Sequence, residues 1–508
     1  MAIDRKKSAI LGFATDLGGQ FIMIAVNFIM IPIILTMTSA SLYGFWITTL
    51  SILGFLALAD FGLGISLTRL VAGHADEEKK ENLNQIVSSA FLVFCLIGVV
   101  YFSLGLCILP FIPGWFKIPV SEVSDVQVAY CIALFSGAAT LPLSTFGAVV
   151  SGFQRMAIDN TIRVTMSVAS MGISISLLLS HFGLSSLAIA GLFQSVSIGL
   201  INFIYIRRRF PYVIVRLRHA RWAHVRNLLS FGGYFQLGRI ANTVATGADN
   251  LVISSCMGAS FVAPYSITSK LAVTFSNGIA SKPPIALFPA ISQMFANQEF
   301  DKLRRIYVRL TKYSTRLAII AGIFLLSANQ SFVSLWVGKD LYGGNYLNAV
   351  FVFWVIQDTI YRGTTAFVYA SGELKNWMYA SLFEAILNLG ISVILVFKFG
   401  LIGVALGTSI GKMFTTAIYI PYWICKKLDL KIWNFFREGI LFPAIRSIPG
   451  VIMLVCFLFL SPKSLTWGWV MSVGTISLVG NVILFEGYEL MKSSDLTLRE
   501  RLRQMMAY

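Results

Sequence analysis

The chain has 508 residues, of which 56% are hydrophobic and only 12% charged, with a formal net charge of +17. A soluble domain carries about 25% charge, so this composition excludes a soluble globular enzyme and points to a polytopic membrane protein. The six cysteines all lie in or beside apolar runs without a C-x-x-C pair, which argues against disulfides and metal ligation.

The N-terminal stretch "MAIDRKKSAILGFATDLGGQ" opens with basic residues, but its apolar run is interrupted by Asp16 and continues to Pro32. It reads as a retained first helix, because a signal peptide has a short apolar core and a small-residue cleavage site. At about 20 residues per crossing, apolar runs near 9–35, 42–72, 84–112, 126–151, 157–181, 185–206 and 229–256 predict the first seven spans. Seven more follow near 262–295, 307–328, 346–371, 376–398, 401–424, 441–460 and 467–490, which makes about fourteen. The predicted fold class is therefore all-α and polytopic.

Lysine and arginine set the expected orientation. With the N-terminus inside, inner loops and tails hold 27 of the 40 basic residues and outer loops hold four: Lys117, Lys339, Lys398 and Lys463. That asymmetry follows the positive-inside rule and predicts that both ends are cytoplasmic. It also accounts for the basic segment "RRRFPYVIVRLRHARWAHVR" as a surface element facing anionic lipid, so nucleic acid is not needed as a partner.

A repeat runs through the chain. "SGFQRMAIDNTIRVTMSVASMGISISLLLSHFGLSSLAIAG" from Ser151 parallels "SGELKNWMYASLFEAILNLGISVILVFKFGLIGVALG" from Ser371. Gly152 matches Gly372, Gly172 matches Gly390, and Phe182-Gly183-Leu184 matches Phe399-Gly400-Leu401. Six spans fit within one period, so the copies share an orientation and are expected to be related by a pseudo-two-fold along the membrane normal. This predicts an N-lobe at 1–210 (spans 1–6), a basic connector at 211–228 and a C-lobe at 229–425 (spans 7–12), with a cleft between the lobes. Residues 426–508 supply spans 13 and 14 and a tail.

No catalytic constellation emerges. "GTSIGKMFTT" imitates a phosphate-binding loop, but it has three residues between its glycines where four are required, and Met413 stands where Ser or Thr is needed. Gly403, Gly407 and Gly411 instead form a double G-x-x-x-G that lets a neighbouring helix approach closely. The four histidines form no metal motif, so neither metal nor cofactor is expected.

What remains is charge inside the spans. On insertion scales each such residue costs roughly 2.5–3.5 kcal/mol at mid-helix, so it needs a partner or a wet cavity. Five deep residues are cationic, Arg239, Lys270, Lys282, Arg362 and Lys412, and all fall in the second lobe. The acids are Asp60, Asp249, Asp358 and Glu384. Asp358 and Arg362 stand four residues apart and can pair along one helix. Lys282 precedes Pro283-Pro284, a predicted helix break that frees backbone groups for a cavity wall. An excess of deep cations suits an anionic cargo, because guanidinium meets phosphate through paired hydrogen bonds.

"LYGFWITTLSILGFLALADFGLGISLTRLVA" (Leu42–Ala72) and "ASGELKNWMYASLFEAILNLGISVILVFKFGLIGVALGT" resemble the polysaccharide-transport (Wzx-type) flippases. Those belong to the multidrug/oligosaccharidyl-lipid/polysaccharide exporter superfamily, to which MurJ is related. The resemblance implies two six-helix lobes, alternating access and a location in the bacterial cytoplasmic (inner) membrane. It implies a cargo of undecaprenyl-pyrophosphate-linked oligosaccharide, such as an O-antigen repeat unit, with membrane lipid around the carrier tail. It assigns the cationic-cavity role to Arg239, Lys282, Arg362 and Lys412, with Lys270 beside them. Asp60, Asp249, Asp358 and Glu384 are then acids for ion or proton coupling, or for pairing. Two alternatives stand beside this reading. A drug or cation antiporter of the same fold would use the acids as its site. A membrane-embedded enzyme of glycan assembly would need polar loops that this chain lacks.

Overall fold

The computed structural model describes residues 5–58, 62–73, 80–230, 233–460 and 466–492. Among these residues every regular element is helical. In chain order the principal helices are α1 (Arg5–Met37), α2 (Ala40–Ala57), α3 (Leu63–Gly73), α4 (Lys80–Ile108), α5 (Val123–Gly152), α6 (Met156–Leu179) and α7 (Ser185–Arg209). They continue with α8 (Trp222–Ser230), α9 (Gly233–Cys256), α10 (Val262–Phe275), α11 (Lys282–Ala296), α12 (Phe300–Trp336), α13 (Asn345–Ala370) and α14 (Leu374–Phe399). Last come α15 (Leu401–Lys412), α16 (Ile420–Lys427), α17 (Ile432–Phe436), α18 (Phe442–Arg446), α19 (Ile448–Leu460) and α20 (Trp467–Lys492). Three π-helical stretches, Ser276–Ala280, Met413–Tyr419 and Arg437–Leu441, link α10 to α11, α15 to α16 and α17 to α18.

Ten of the helical segments among the described residues are long and apolar enough to cross a membrane. α9, the α10–α11 segment and α13 are not among the ten. These three carry Arg239, Asp249, Lys270, Lys282, Asp358 and Arg362, most of the deep charge expected from the sequence, whereas Glu384 and Lys412 lie on segments that are among the ten.

Local sequence explains the breaks. Ser39 caps α2, its hydroxyl accepting the Leu42 N–H at 3.1 Å. The run expected as one span over 42–72 is two helices, because Gly62 sits at φ +70°, where a side chain would also strike Gln236. Asp60 lies outside the described residues. The break expected at Pro283-Pro284 is present: both prolines occupy the first turn of α11, where their missing N–H groups cost least. The two repeat copies turn alike, with Gly183 at φ +55° between α6 and α7 and Gly400 at φ +56° between α14 and α15.

The chain divides into two compact units. The first comprises Met1–Ser266 and Leu374–Gly411. In it α5 packs on α4 and α7, α6 packs on α1 and α7, and α9 lies along α14 and against α2. The basic connector is strapped to the start of α4. Asn84 donates to the Tyr212 carbonyl at 3.0 Å and accepts the Ile214 N–H at 2.8 Å. Ser88 and Ser89 accept the Arg216 and Arg221 N–H groups at 3.1 and 2.9 Å. Bonded through its backbone, the segment leaves the side chains of Arg216, Arg218, Arg221 and Trp222 exposed.

The second unit comprises Ile267–Glu373 and Lys412–Tyr508. Its centre is α12 against α13, with α11 on α13 and with α19 and α20 closing over α12. Ala328, Leu454, Trp469, Val470 and Val473 form the apolar cluster at that closure. Buried Asn329 donates to the Thr268 carbonyl at 2.9 Å and to Asn348 Oδ1 at 2.7 Å, a cross-helix bond in a medium where an unmet amide is costly.

Candidate functional site

Two buried polar clusters stand out, one in each unit, and both are built around an acid expected from the sequence.

In the second unit, α13 carries Asp358 and Arg362 one turn apart. The π-helical stretch after α10 supplies Ser276 and Asn277, and the last residue of α15 supplies Lys412. Asp358 and Lys412 are buried, and the Lys412 ammonium donates to Asp358 Oδ1. Arg362 Nε donates to Asp358 Oδ2 at 2.8 Å and to Ser276 Oγ at 2.7 Å, and Nη2 donates to Asn277 Oδ1 at 2.5 Å. Ser276 in turn donates its hydroxyl proton to Asp358 Oδ2. The rings of Trp354 and Tyr361 lie 5.2 and 5.9 Å from the Lys412 ammonium and supply cation–π contact. Two cations thus share one carboxylate, which leaves a surplus of one positive charge. That surplus is on Arg362, whose side chain is 29% exposed against 4% for Lys412. Arg362 lines a cavity of about 370 Å³ with Ser281, Pro284, Phe288, Thr365 and Tyr369.

In the first unit, buried Asp249 on α9 is held by hydroxyl groups. Tyr265 donates to Oδ2 at 2.6 Å, and Thr408 Oγ1 lies 2.9 and 3.0 Å from the two carboxylate oxygens. Thr408 Oγ1 is also 3.2 Å from Asn388 Oδ1, which accepts from Ser392 at 3.0 Å. Asn388 Nδ2 donates to the Ala245 carbonyl. A hydroxyl has one proton to give, so Thr408 cannot satisfy both Asp249 and Asn388. With Ser392 serving Asn388, the Asp249 carboxylate meets two hydroxyl donors, fewer than it can accept, and no cation joins the cluster among the described residues.

The G-x-x-x-G helix makes this geometry possible. A side chain at Gly403 would meet the Leu395 carbonyl at 2.2 Å, and one at Gly407 would meet Ser392 Oγ at 2.2 Å. With hydrogen at both positions, α15 lies against α14, and Thr408 comes within reach of Asn388 and Asp249. The close helix approach expected from the spacing is observed.

Arg239 is half-buried on α9 and Glu384 is buried on α14, both in the first unit. Lys270 on α10 and Lys282 at the start of α11 are half-buried in the second unit.

A family model described as "Polysaccharide biosynthesis protein" matches residues 12–295, more than half of the chain. The chain belongs to that family. A second model, described as "Lipid II flippase MurJ", matches residues 250–478. Among curated relatives, the "Putative O-antigen transporter" of Shigella flexneri is 25% identical over 72% of this chain and 86% of its own length. The "Putative O-antigen export protein" of Yersinia pseudotuberculosis is 22% identical over 84% of this chain and 98% of its own. Of the solved structures, MurJ in an inward closed conformation superposes with a TM-score of 0.68 at 14% identity, covering 95% of this chain and 98% of that one. An inward-facing multidrug transporter of the MATE family gives 0.60 at 20% identity, covering 80% and 98%. At these identities the structural likeness shows the fold: this family member has the helical architecture shared by MurJ and MATE proteins.

Sequence reasoning missed Ser276, Asn277, Tyr265, Thr408, Asn388 and Ser392. One signal was available. Asn388 and Ser392 are i,i+4 on α14, as are Thr408 and Lys412 on α15, so each pair presents two polar groups on one face.

Proposed function

We infer that this family member is a flippase, a transporter and not an enzyme. In this reading it moves an undecaprenyl-pyrophosphate-linked oligosaccharide, an O-antigen or similar repeat unit, across the bacterial inner membrane by alternating access. The family match supports the glycan-lipid class of cargo. The observation that carries the chemistry is the uncompensated positive charge of the Asp358–Lys412–Arg362 cluster, exposed on Arg362 at a cavity wall. A guanidinium there suits a phosphate oxygen, and the energetic cost of placing it in the span is reduced by its shared acid. Arg239, Lys282 and Lys270 are the further cations of this reading, with Lys412 as the buried partner. The bias of basic residues, 27 to four, supports cytoplasmic termini.

Asp249 is the acid best placed for coupling. Among the described residues its carboxylate meets two hydroxyl donors, fewer than the hydrogen bonds it can accept, so a proton or a cation would complete the cluster. The same observation favours a second reading, a drug or cation antiporter of the same fold, in which Asp249 binds the cargo itself.

Reconstitution into liposomes separates the two. A fluorescent lipid-linked oligosaccharide, scored by its protection from an impermeant quencher, should be flipped by the wild-type protein, and a cationic dye should not be moved. Dye transport without glycan-lipid transport would select the antiporter.

A further inference from the structure

Asp358 has the composition of a coupling acid but not its surroundings. Its Oδ1 accepts from Lys412, and its Oδ2 accepts from both Arg362 and Ser276. Both oxygens are thus engaged by donors, two of them cations. We propose that Asp358 is a positioning residue: with Lys412 as its fixed counter-ion, it aims the guanidinium of Arg362 at the cavity to receive a pyrophosphate-class anion. The inference rests on the flippase reading for the identity of that anion, not for the geometry.

The aim is over-determined. Arg362 Nε is taken by Asp358 and Ser276, and Nη2 by Asn277, so one edge of the planar fork is locked in place. Nη1 makes no hydrogen bond among the described residues, and Arg362 forms part of the cavity wall. Locking one edge removes the rotamer freedom that a long cation would otherwise lose on meeting its ligand. Lys412 plays a different part. Its ammonium is buried against Asp358, Trp354 and Tyr361, so it balances charge without reaching the cavity. It therefore passes from the set of ligand contacts to the support beneath them. The backbone agrees: Ser276 and Asn277 open one π-helical stretch and Lys412 immediately precedes another. Such stretches shift the register of a helix and recur at functional sites.

The test is the paired variant Asp358→Asn/Lys412→Met in reconstituted liposomes, which removes both members of the buried pair and keeps the cluster's net charge, carried by Arg362 at the cavity wall. The expected result is an apparent KM for the lipid-linked oligosaccharide raised on the order of tenfold, with the maximal rate within about twofold of wild type. Asn277→Ala, which removes only the Nη2 acceptor, should raise KM by less. An unchanged KM in both variants, or a lost maximal rate at unchanged KM, would overturn the proposal. If the paired variant does not reach the membrane, Asn277→Ala alone decides, and an unaltered KM counts against positioning. If the wild-type protein flips no lipid-linked glycan, it is the functional reading that fails. Positioning is then read from calorimetric titration with inorganic pyrophosphate. Weaker binding by Asn277→Ala than by wild type supports it; equal binding, or none to wild type, overturns it.

Discussion

Asp249 and Asp358 are the same residue type, both buried in helices, yet the chain surrounds them in opposite ways. Asp358 is met by a lysine and an arginine and is fully neutralised with positive charge to spare. Among the described residues, Asp249 is met by the hydroxyl groups of Tyr265 and Thr408 and by no cation. The difference teaches that a charged residue in a span has no meaning until its neighbours are known. The first acid is part of a cation's mount, whereas the second is a site with acceptor capacity unfilled.

The largest effect should come from breaking the ion-paired side of this comparison. Asp358→Asn alone strands Lys412 in a buried position, and losing one member of a buried pair costs about 3–5 kcal/mol. Thermal unfolding in detergent should show a lowered midpoint, and adding Lys412→Met should recover most of it. On the other side, Thr408→Val removes a hydroxyl from a buried carboxylate and should cost about 1.5–3 kcal/mol, read from the same unfolding curve. Gly407→Ala probes the packing beneath that cluster. Its methyl group would press on Ser392, for an expected loss of about 1–3 kcal/mol and a weakened Thr408–Asp249 contact. The smallest stability change belongs to Asp249→Asn. Its amide oxygen still accepts from the hydroxyl groups, so the midpoint should move by less than about 1 kcal/mol.

Much of the architecture was legible in the sequence, and the reasons are physical. Lipid demands long apolar helices, so composition and run length point directly to a polytopic helical fold. Glycine leaves an equally direct trace: Gly403 and Gly407 mark a close helix contact, and Gly183 and Gly400 mark the same turn twice. The site was legible only in part. Helical spacing offered Asp358 and Arg362 as neighbours, but Lys412 comes from 54 residues away and Ser276 from 82. Periodicity assigns a residue to a face of its helix and does not choose the helix opposite. Uncharged partners such as Asn277 and Thr408 were harder still, because serine, threonine and asparagine are unremarkable in a membrane helix until a buried acid sits beside them. Gly62 shows the opposite error, in which an apolar run concealed a break that one left-handed residue imposes.

The contrast between the two acids is tested most directly by the gradient dependence of flipping. Initial rates of lipid-linked oligosaccharide translocation would be measured in liposomes with and without an imposed proton or cation gradient, for wild type, Asp249→Asn and Asp358→Asn/Lys412→Met. The account predicts that Asp249→Asn flips at a rate indifferent to the gradient, while the paired variant keeps the wild-type acceleration and needs more substrate to reach it. Acceleration preserved in Asp249→Asn and lost in the paired variant would contradict it.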